Sequence, residues 1–338
     1  MAVYAISDVH GAMDELDRLI KKTGIRFDGS DSLYLLGDFG DWGEKSIETL
    51  LYVKHLEQTW PFVHCTMGNH ELMFLNTALA AGEGKPEGDD AENWLLNNRG
   101  LVTWQGYRAL EREEREDLLQ WLSSLRFSYD VNLGTLTFML AHAYPYYYDC
   151  TYPEQEARRR RQEAVWRRLL LRENPFAEYQ GSNHYDYLVC GHTISEFYFQ
   201  QLRAEKPQHR RMPTETIRNR IFRGENFIDI DCGAKCMDVE DGASDQRKMA
   251  ALRAQLACLR LDDMEGFYVH RPVVKVPDLT QAAVPEVRIP EVKLPELHFP
   301  ELHLPENISF RDICQEANTN ARDAYEDPVP EPWHHRKG

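Results

Sequence analysis

The chain has 338 residues, which suits one large core plus an appendage better than two equal domains, since a two-sheet α/β sandwich reaches about 250 residues as a single domain. Its formal charge of −16 argues against the basic footprint of a nucleic-acid reader, and no apolar run approaches the roughly eighteen residues of a membrane span. Seven cysteines, odd in number and scattered, read as reduced thiols of a cytoplasmic protein rather than as a disulfide frame.

From the N-terminus, Val3 to Ile6 is an apolar strand run followed by Ser7-Asp8-Val9-His10-Gly11. It starts so early that a cleavable leader is not expected ahead of Asp8. Ala12 to Lys22 carries Met13, Leu16, Leu19 and Ile20 at helical spacing. The unit then repeats: strand Leu33 to Leu36, the cluster Gly37-Asp38-Phe39-Gly40-Asp41-Trp42-Gly43, and a helix over Glu44 to Leu56 on Ile47, Leu50, Leu51 and Val53. A third run, Phe62 to Met67, leads into Gly68-Asn69-His70-Glu71. Oxygen and nitrogen ligands thus arrive repeatedly at strand ends, where an α/β sheet places its site, and together they read as a two-metal site.

Gly82 to Asp90 reads as a mobile surface loop, Arg112 to Leu125 as a helix with Leu118, Leu119 and Leu122 buried, and Leu136 to Leu140 as a strand leading to His142. Residues 154 to 173 are dense in arginine and predict a helix with a solvated basic face around Ala164, Val165, Leu169 and Leu170. Val189-Cys190-Gly191-His192-Thr193 is a further strand with a histidine behind it, and the basic, turn-rich stretch Lys206 to Arg223 reads as a variable surface loop in preference to a substrate-facing flap. Cys232 and Cys236 are four apart, but no second Cys or His pair stands near to complete a zinc site.

After about Pro272 prolines recur at 285, 290, 295, 300 and 305, each followed by Glu. A five-residue period flips its apolar pair from face to face of a continuous strand, and each proline removes a ladder donor. Residues 273–338 therefore read as an extended or disordered tail, or as an arm laid along its own domain or a protein partner. This stretch holds twelve acidic and seven basic residues, so most of the net charge lies on residues 1–272.

The ordered blocks Asp8-x-His10, Gly37-Asp38-x-x-Asp41, Gly68-Asn69-His70-Glu71, Leu140 to Pro145 and Gly191-His192-Thr193 resemble the calcineurin-like metallophosphoesterases, and within them the phosphoprotein phosphatase branch with its small bacterial and phage enzymes. The resemblance continues weakly through Phe227 to Ala234 and ends in Ala257 to Val269. It implies two mixed β-sheets packed as a sandwich flanked by helices, in a catalytic domain over 1–272. It also implies two divalent ions, manganese first, with iron and zinc suited to the same mixed carboxylate, amide and imidazole ligands. By resemblance Asp38 bridges both ions, Asp8 and His10 complete one site, and Asn69, His142 and His192 complete the other. A hydroxide bridging the two would attack phosphorus. His70, oriented by Asp41, would be the general acid, and Glu71 would fix the loop rather than touch substrate.

Trp166-x-Arg168 resembles a stretch that places a phosphate-binding arginine between the last two histidine ligands. Trp42 is a departure, standing where the branch carries an arginine that holds phosphate oxygens; Met67 replaces another arginine ahead of Gly68. Loss of those contacts weakens the grip on a monoester dianion, while Trp42 offers a face for an aromatic substrate or packs beneath the site. The expected activity is hydrolysis of phosphate monoesters, on phosphoprotein or a small phosphorylated metabolite, without nucleic-acid or membrane partners. The alternatives are a dinucleoside polyphosphate hydrolase or other phosphodiesterase, and a metal-bound scaffold of weak activity.

Overall fold

Alternation along the strands sorts the side chains into three layers. In β1 (Val3–Ile6), Val3 and Ala5 face one way and Tyr4 and Ile6 the other; in β9 (Leu256–Arg260), Ala257 and Leu259 oppose Leu256 and Cys258. A computed structural model describes residues 1–147, 152–177, 184–205, 218–238 and 243–271. Among them the elements run β1, α1 (Met13–Thr23), β2 (Ser32–Leu35), α2 (Ser46–Thr59), β3 (Val63–Cys65), α3 (Asn69–Ala81), α4 (Asp89–Glu92), α5 (Leu101–Ala109), α6 (Arg112–Ser124), β4 (Ser128–Asn132) and β5 (Thr137–Ala141). They continue through α7 (Glu154–Trp166), β6 (Tyr187–Cys190), α8 (Glu196–Glu205), β7 (Phe222–Arg223), β8 (Phe227–Asp229), α9 (Asp245–Arg253), β9 and β10 (Glu265–Val269).

One sheet has the order β10-β9-β1-β2-β3 and the other β4-β5-β6-β8-β7. Both are mixed: β1-β2-β3 and β5-β6-β8 are parallel, with antiparallel strands at the margins. Val3, Ala5, Ala257 and Leu259 meet Phe138, Leu140, Val189 and Ile228 of the other sheet in the central layer. The opposite faces are covered by helices. Tyr4, Ile6 and Cys258 pack with Leu16 and Leu19 of α1, while Met139, Leu188 and Phe227 pack with Tyr198 of α8. This is the expected helix-flanked sandwich. The interior of each sheet is buried on both faces, which is why its strands read as continuous apolar runs.

Three expectations need correction. The arginine-rich helix ends at Trp166, where Arg167 turns to an extended conformation (φ −71°, ψ 121°), so Leu169 and Leu170 lie beyond it. Leu169 is buried against the second sheet while Leu170 is 67% exposed, because an extended chain sends neighbours to opposite sides. The stretch read as a loop to Arg223 ends instead in β7, with Phe222 buried on Tyr198 at 4.6 Å. Residues 206–217 of that stretch, and the Pro-Glu repeat, lie outside the described residues. Helix α2 starts at Ser46 rather than Glu44, because Gly43 N–H is drawn to the His10 carbonyl at 3.1 Å. Among the described residues no helix is long and apolar enough to cross a membrane.

The last described residue helps close the first helix: Arg271 donates to both carboxylate oxygens of Glu15, at 3.3 and 3.1 Å. A chain ended after Arg271 is expected to stay folded and active, since both sheets and every candidate ligand precede that point. A melt and an activity assay check this; an insoluble truncated protein would show that residues 272–338 cover core surface.

Candidate metal centre

Each candidate ligand sits just past the C-terminal end of a parallel strand. Asp8 and His10 follow β1, Asp38 and Asp41 follow β2, Asn69 follows β3, His142 follows β5 and His192 follows β6. Two sheets thereby converge at one edge. The loops are laced together by Asp8 N–H to Gly37 O (3.1 Å), His10 N–H to Asp38 O (2.9 Å) and Gly191 N–H to His142 O (2.8 Å). Asp8, His10, Asp38, Asp41, Trp42 and His192 all have φ between 48° and 67°. Non-glycine residues in this region cost about 1–3 kcal/mol each, so strain is concentrated where the side chains must converge.

Close approach also requires Gly191. A Cβ there would overlap the Asp8 Oδ2 and the Ser7 Oγ, and the Asp8 carboxylate accepts the His192 N–H at 3.1 and 3.0 Å. Gly191→Ala is therefore expected to destabilise the protein by about 1–3 kcal/mol. A thermal melt several degrees below the parent checks it; an unchanged melt would mean the loop relaxes freely.

The imidazoles are oriented by backbone. His10 Nδ1 donates to the Gly40 carbonyl at 3.1 Å, His142 Nδ1 to the Leu36 carbonyl at 2.8 Å, and His192 Nε2 to the Trp166 carbonyl at 3.2 Å. A carbonyl only accepts, so each ring turns its unprotonated nitrogen toward the centre. There His142 Nε2 and His192 Nδ1 lie 2.9 and 3.0 Å from Asn69 Oδ1, and His142 Nε2 lies 3.4 Å from Asp38 Oδ1. Lone pairs facing lone pairs need a cation between them. Turning the Asn69 amide would satisfy two of the rings, yet His10 Nε2 would stay buried without a hydrogen-bond partner, 3.8 Å from Asp8 Oδ1 and 3.5 Å from Asp38 Oδ2. Two groups of donor atoms result, His10–Asp38–His70 and Asp38–His142–His192, sharing Asp38. The donor set fits two divalent cations of the manganese, iron or zinc type.

Electrostatics agree with that fit. Burial keeps His10 and His142 below the usual imidazole range and pushes His192 down to about 2, the direction that favours the neutral ring a metal ligand needs. Burial resists the charge of Asp38, but His142, His70, His10 and His192 outweigh it and hold the carboxyl below its usual range. Asp8 is raised well above the carboxylate range by burial and by the Asp231 and Asp38 charges, a penalty that bound cations would reverse.

His70 differs from the other rings. Its Nδ1 is 2.6 Å from Asp41 Oδ2, and its Nε2 points to Asp38 Oδ2 at 3.8 Å. Burial alone would lower its pKa, but Asp38 and Asp41 together raise it, which favours a ring that carries a proton. Glu71 does not face the centre. Its carboxylate accepts the backbone N–H groups of Asp38 (2.7 Å), Phe39 (2.8 Å) and Gly68 (3.1 Å), the loop-fixing place expected for it; burial raises its pKa to about 7.

Arg168 Nη1 donates to the His192 carbonyl and to Thr193 Oγ1, each at 3.1 Å, so it lies beside the second ligand group. Trp42 is half-buried, with the Arg99 guanidinium 5.5 Å above its ring. Sequence reasoning missed Trp94 and Thr103. The Trp94 indole N–H donates to Asp41 Oδ2 at 2.7 Å and the Thr103 hydroxyl to Asp41 Oδ1, while Asp41 N–H donates to Thr103 Oγ1 at 3.0 Å. It also missed Lys235, whose charge acts on His10, His192 and Asp231. Nothing beside Trp94 in the sequence singles it out; its complete burial is revealed only by the fold.

Comparison with known proteins agrees with the geometry. The family model for calcineurin-like phosphoesterases matches residues 1–196. A symmetrical bis(5'-nucleosyl)-tetraphosphatase of Neisseria meningitidis is 38% identical over 107 residues, 31% of this chain and 37% of that protein. One from Pasteurella multocida is 36% identical over 114 residues, 30% of this chain and 40% of the relative. The matches thus span about two-fifths of these relatives' length. A solved metallophosphoesterase from Sphaerobacter thermophilus aligns with 80% of this chain and 87% of its own at 19% identity and a TM-score of 0.42. Because the family match covers more than half of the chain and takes in all of the candidate ligands, this chain belongs to the calcineurin-like phosphoesterases.

Proposed function

We propose that this phosphoesterase hydrolyses dinucleoside polyphosphates, breaking the bridging phosphate chain to release a nucleoside diphosphate. The observation that carries the reading is an exposed indole beside the centre: Trp166, 39% exposed, stands edge-on to the His192 ring at 6.0 Å. A flat apolar face beside a phosphate site suits a substrate whose phosphates end in aromatic bases. The names of the Neisseria and Pasteurella relatives point the same way. These supports favour the dinucleotide over the phosphate monoesters that the sequence placed first.

In this reading Asp8, His10 and Asp38 would hold one cation, and Asp38, Asn69, His142 and His192 the other. Bound there, the pair supplies Lewis-acid polarisation of a phosphoryl oxygen and activation of water. The protein's own groups do the rest. His70, its Nδ1–H held by Asp41, gives the proton at Nε2 to the departing phosphate oxygen as its bond to phosphorus breaks and the water oxygen bonds to phosphorus. Trp94 and Thr103 hold Asp41 in place, and Arg168 meets phosphate oxygens beside His192.

The test is a panel of p-nitrophenyl phosphate, bis-p-nitrophenyl phosphate, diadenosine tetraphosphate and a phosphopeptide, assayed with manganese. The expected result is preference for the dinucleotide with ADP as the sole nucleotide product. Preference for the phosphopeptide would return the reading to a protein phosphatase, and no turnover of any substrate would favour a scaffold.

A further inference from the structure

The chain that follows β8 runs from one ligand loop toward the other. Ile230 N–H donates to the Cys190 carbonyl and Ser195 N–H to the Asp231 carbonyl, each at 2.8 Å, so this stretch lies along the loop that carries His192. Gly233, with φ 86°, turns it aside: the Asp231 carboxylate accepts the Gly233 N–H at 2.7 Å, and a Cβ at Gly233 would stand 3.4 Å from Ile194 Cγ2. One 3-10 turn comes next, Ala234–Cys236, closed by Cys236 N–H to the Gly233 carbonyl and Met237 N–H to the Ala234 carbonyl, each at 2.9 Å. Ala234 and Met237 are buried in the apolar cluster that also takes Val9 and Ala12, which flank His10, and Arg271 ties Asp238 to Glu15 of α1. Lys235 is therefore presented by a turn anchored on one side to the His192 loop and on the other to the segment that follows β1.

Lys235 is half-buried and makes no hydrogen bond or ion pair among the described residues. A lysine that served only to neutralise Asp231 would sit on that carboxylate, yet Asp231 Oδ2 is buried without a hydrogen-bond partner. The lysine's charge is felt across the centre all the same. Burial comes first in making His10 and His192 hard to protonate, and Lys235 adds to it at both rings; it is also the largest influence opposing the burial that raises Asp231. His10 belongs to the first group of donor atoms and His192 to the second, so one ammonium stands near both. Beside bound cations an ammonium is repelled unless an anion comes between, and the phosphoryl group of the substrate is the anion such a centre takes. From this placement we infer that Lys235 binds a non-bridging oxygen of the phosphoryl group under attack, as a second protein cation besides Arg168. A point charge of this kind partly offsets the absence of arginines at positions 42 and 67, without the planar fork of a guanidinium. The role rests on the phosphoester chemistry of the centre and not on the choice between dinucleotide and monoester, since both present that group.

The test is the binding of inorganic phosphate to the manganese-loaded protein, measured by calorimetry, with metal content and thermal melt determined on the same preparations. Lys235→Met keeps the apolar stem and removes the charge, whereas Lys235→Arg keeps a charge. Lys235→Met is expected to raise Kd for phosphate by roughly tenfold to a hundredfold, the range of a charged hydrogen bond, with metal content and melt unchanged. Lys235→Arg is expected to recover part of the loss. KM for p-nitrophenyl phosphate and for diadenosine tetraphosphate is expected to rise by a similar factor in Lys235→Met. A phosphate Kd equal to that of the parent would overturn the role. Loss of bound metal or a lowered melt in Lys235→Met would overturn it too, by showing that the lysine acts through Asp231 and the ligands, as would a parent that binds no phosphate with both ions loaded. If the parent cleaves the aryl phosphate and not the dinucleotide while Lys235→Met still weakens phosphate binding, the dinucleotide reading fails and the role of Lys235 stands.

Discussion

Asp38→Asn is expected to lower turnover by about three orders of magnitude and to reduce bound metal toward zero, with little change in the melt of the metal-free protein. Asp38 is the only residue common to both groups of donor atoms among the described residues. Outer partners of metal ligands are worth about 10–100-fold in affinity or activity, and loss of a ligand shared by two sites compounds that effect roughly to its product. The amide keeps the shape of the carboxylate, and its oxygen can still accept the His70 N–H that Asp38 Oδ1 accepts at 3.1 Å, so the fold has little reason to respond. Elemental analysis and steady-state kinetics on the same preparation check the result. Full metal content with full activity would remove Asp38 from the centre.

His70→Asn is expected to act differently, lowering turnover by roughly a hundredfold or more while metal content stays intact, because a general acid contributes about 10² to 10⁴. The competing role is visible in the structure, since His70 Nε2 faces Asp38 Oδ2 at 3.8 Å and falls within the first group of donor atoms. What separates the roles is the environment of the ring. His10, His142 and His192 have a nitrogen fixed by a neutral carbonyl and are drawn by burial toward the neutral form, whereas His70 is fixed by a carboxylate at 2.6 Å and drawn toward protonation. A ligand would lose metal on substitution and keep its rate per bound ion; that outcome would reassign His70.

The parts of this site that were legible in the sequence are those that depend on near neighbours. A candidate ligand within a few residues of a strand end is readable because the strand pattern and the candidate share one stretch of chain, and Asp8, His10, Asp38, Asn69, His142 and His192 all meet that condition. The sandwich was legible for the same reason, since strands buried on both faces leave continuous apolar runs. Contacts between distant segments left no such trace. Trp94 and Thr103 are 53 and 62 residues from the Asp41 they hold, and nothing in their local composition marks them as partners of an acid. The arginine above Trp42 was hidden likewise: only the fold brings the Arg99 guanidinium to 5.5 Å from the Trp42 ring. The end of α7 was misjudged because Arg167 to Leu170 retain helical composition, while the chain instead turns so that Arg168 reaches the His192 carbonyl.

The central claim, a site built for two cations that acts only when both are present, is tested most directly by hydrolysis measured against metal-to-protein ratio. Protein stripped with a chelator is loaded stepwise with manganese, and turnover of diadenosine tetraphosphate is read at each step. Activity is expected to be near zero without metal, to rise chiefly with the second equivalent and to level off at about two ions per chain. Turnover by the stripped protein equal to that of the loaded protein, or a plateau reached at one ion, would contradict it.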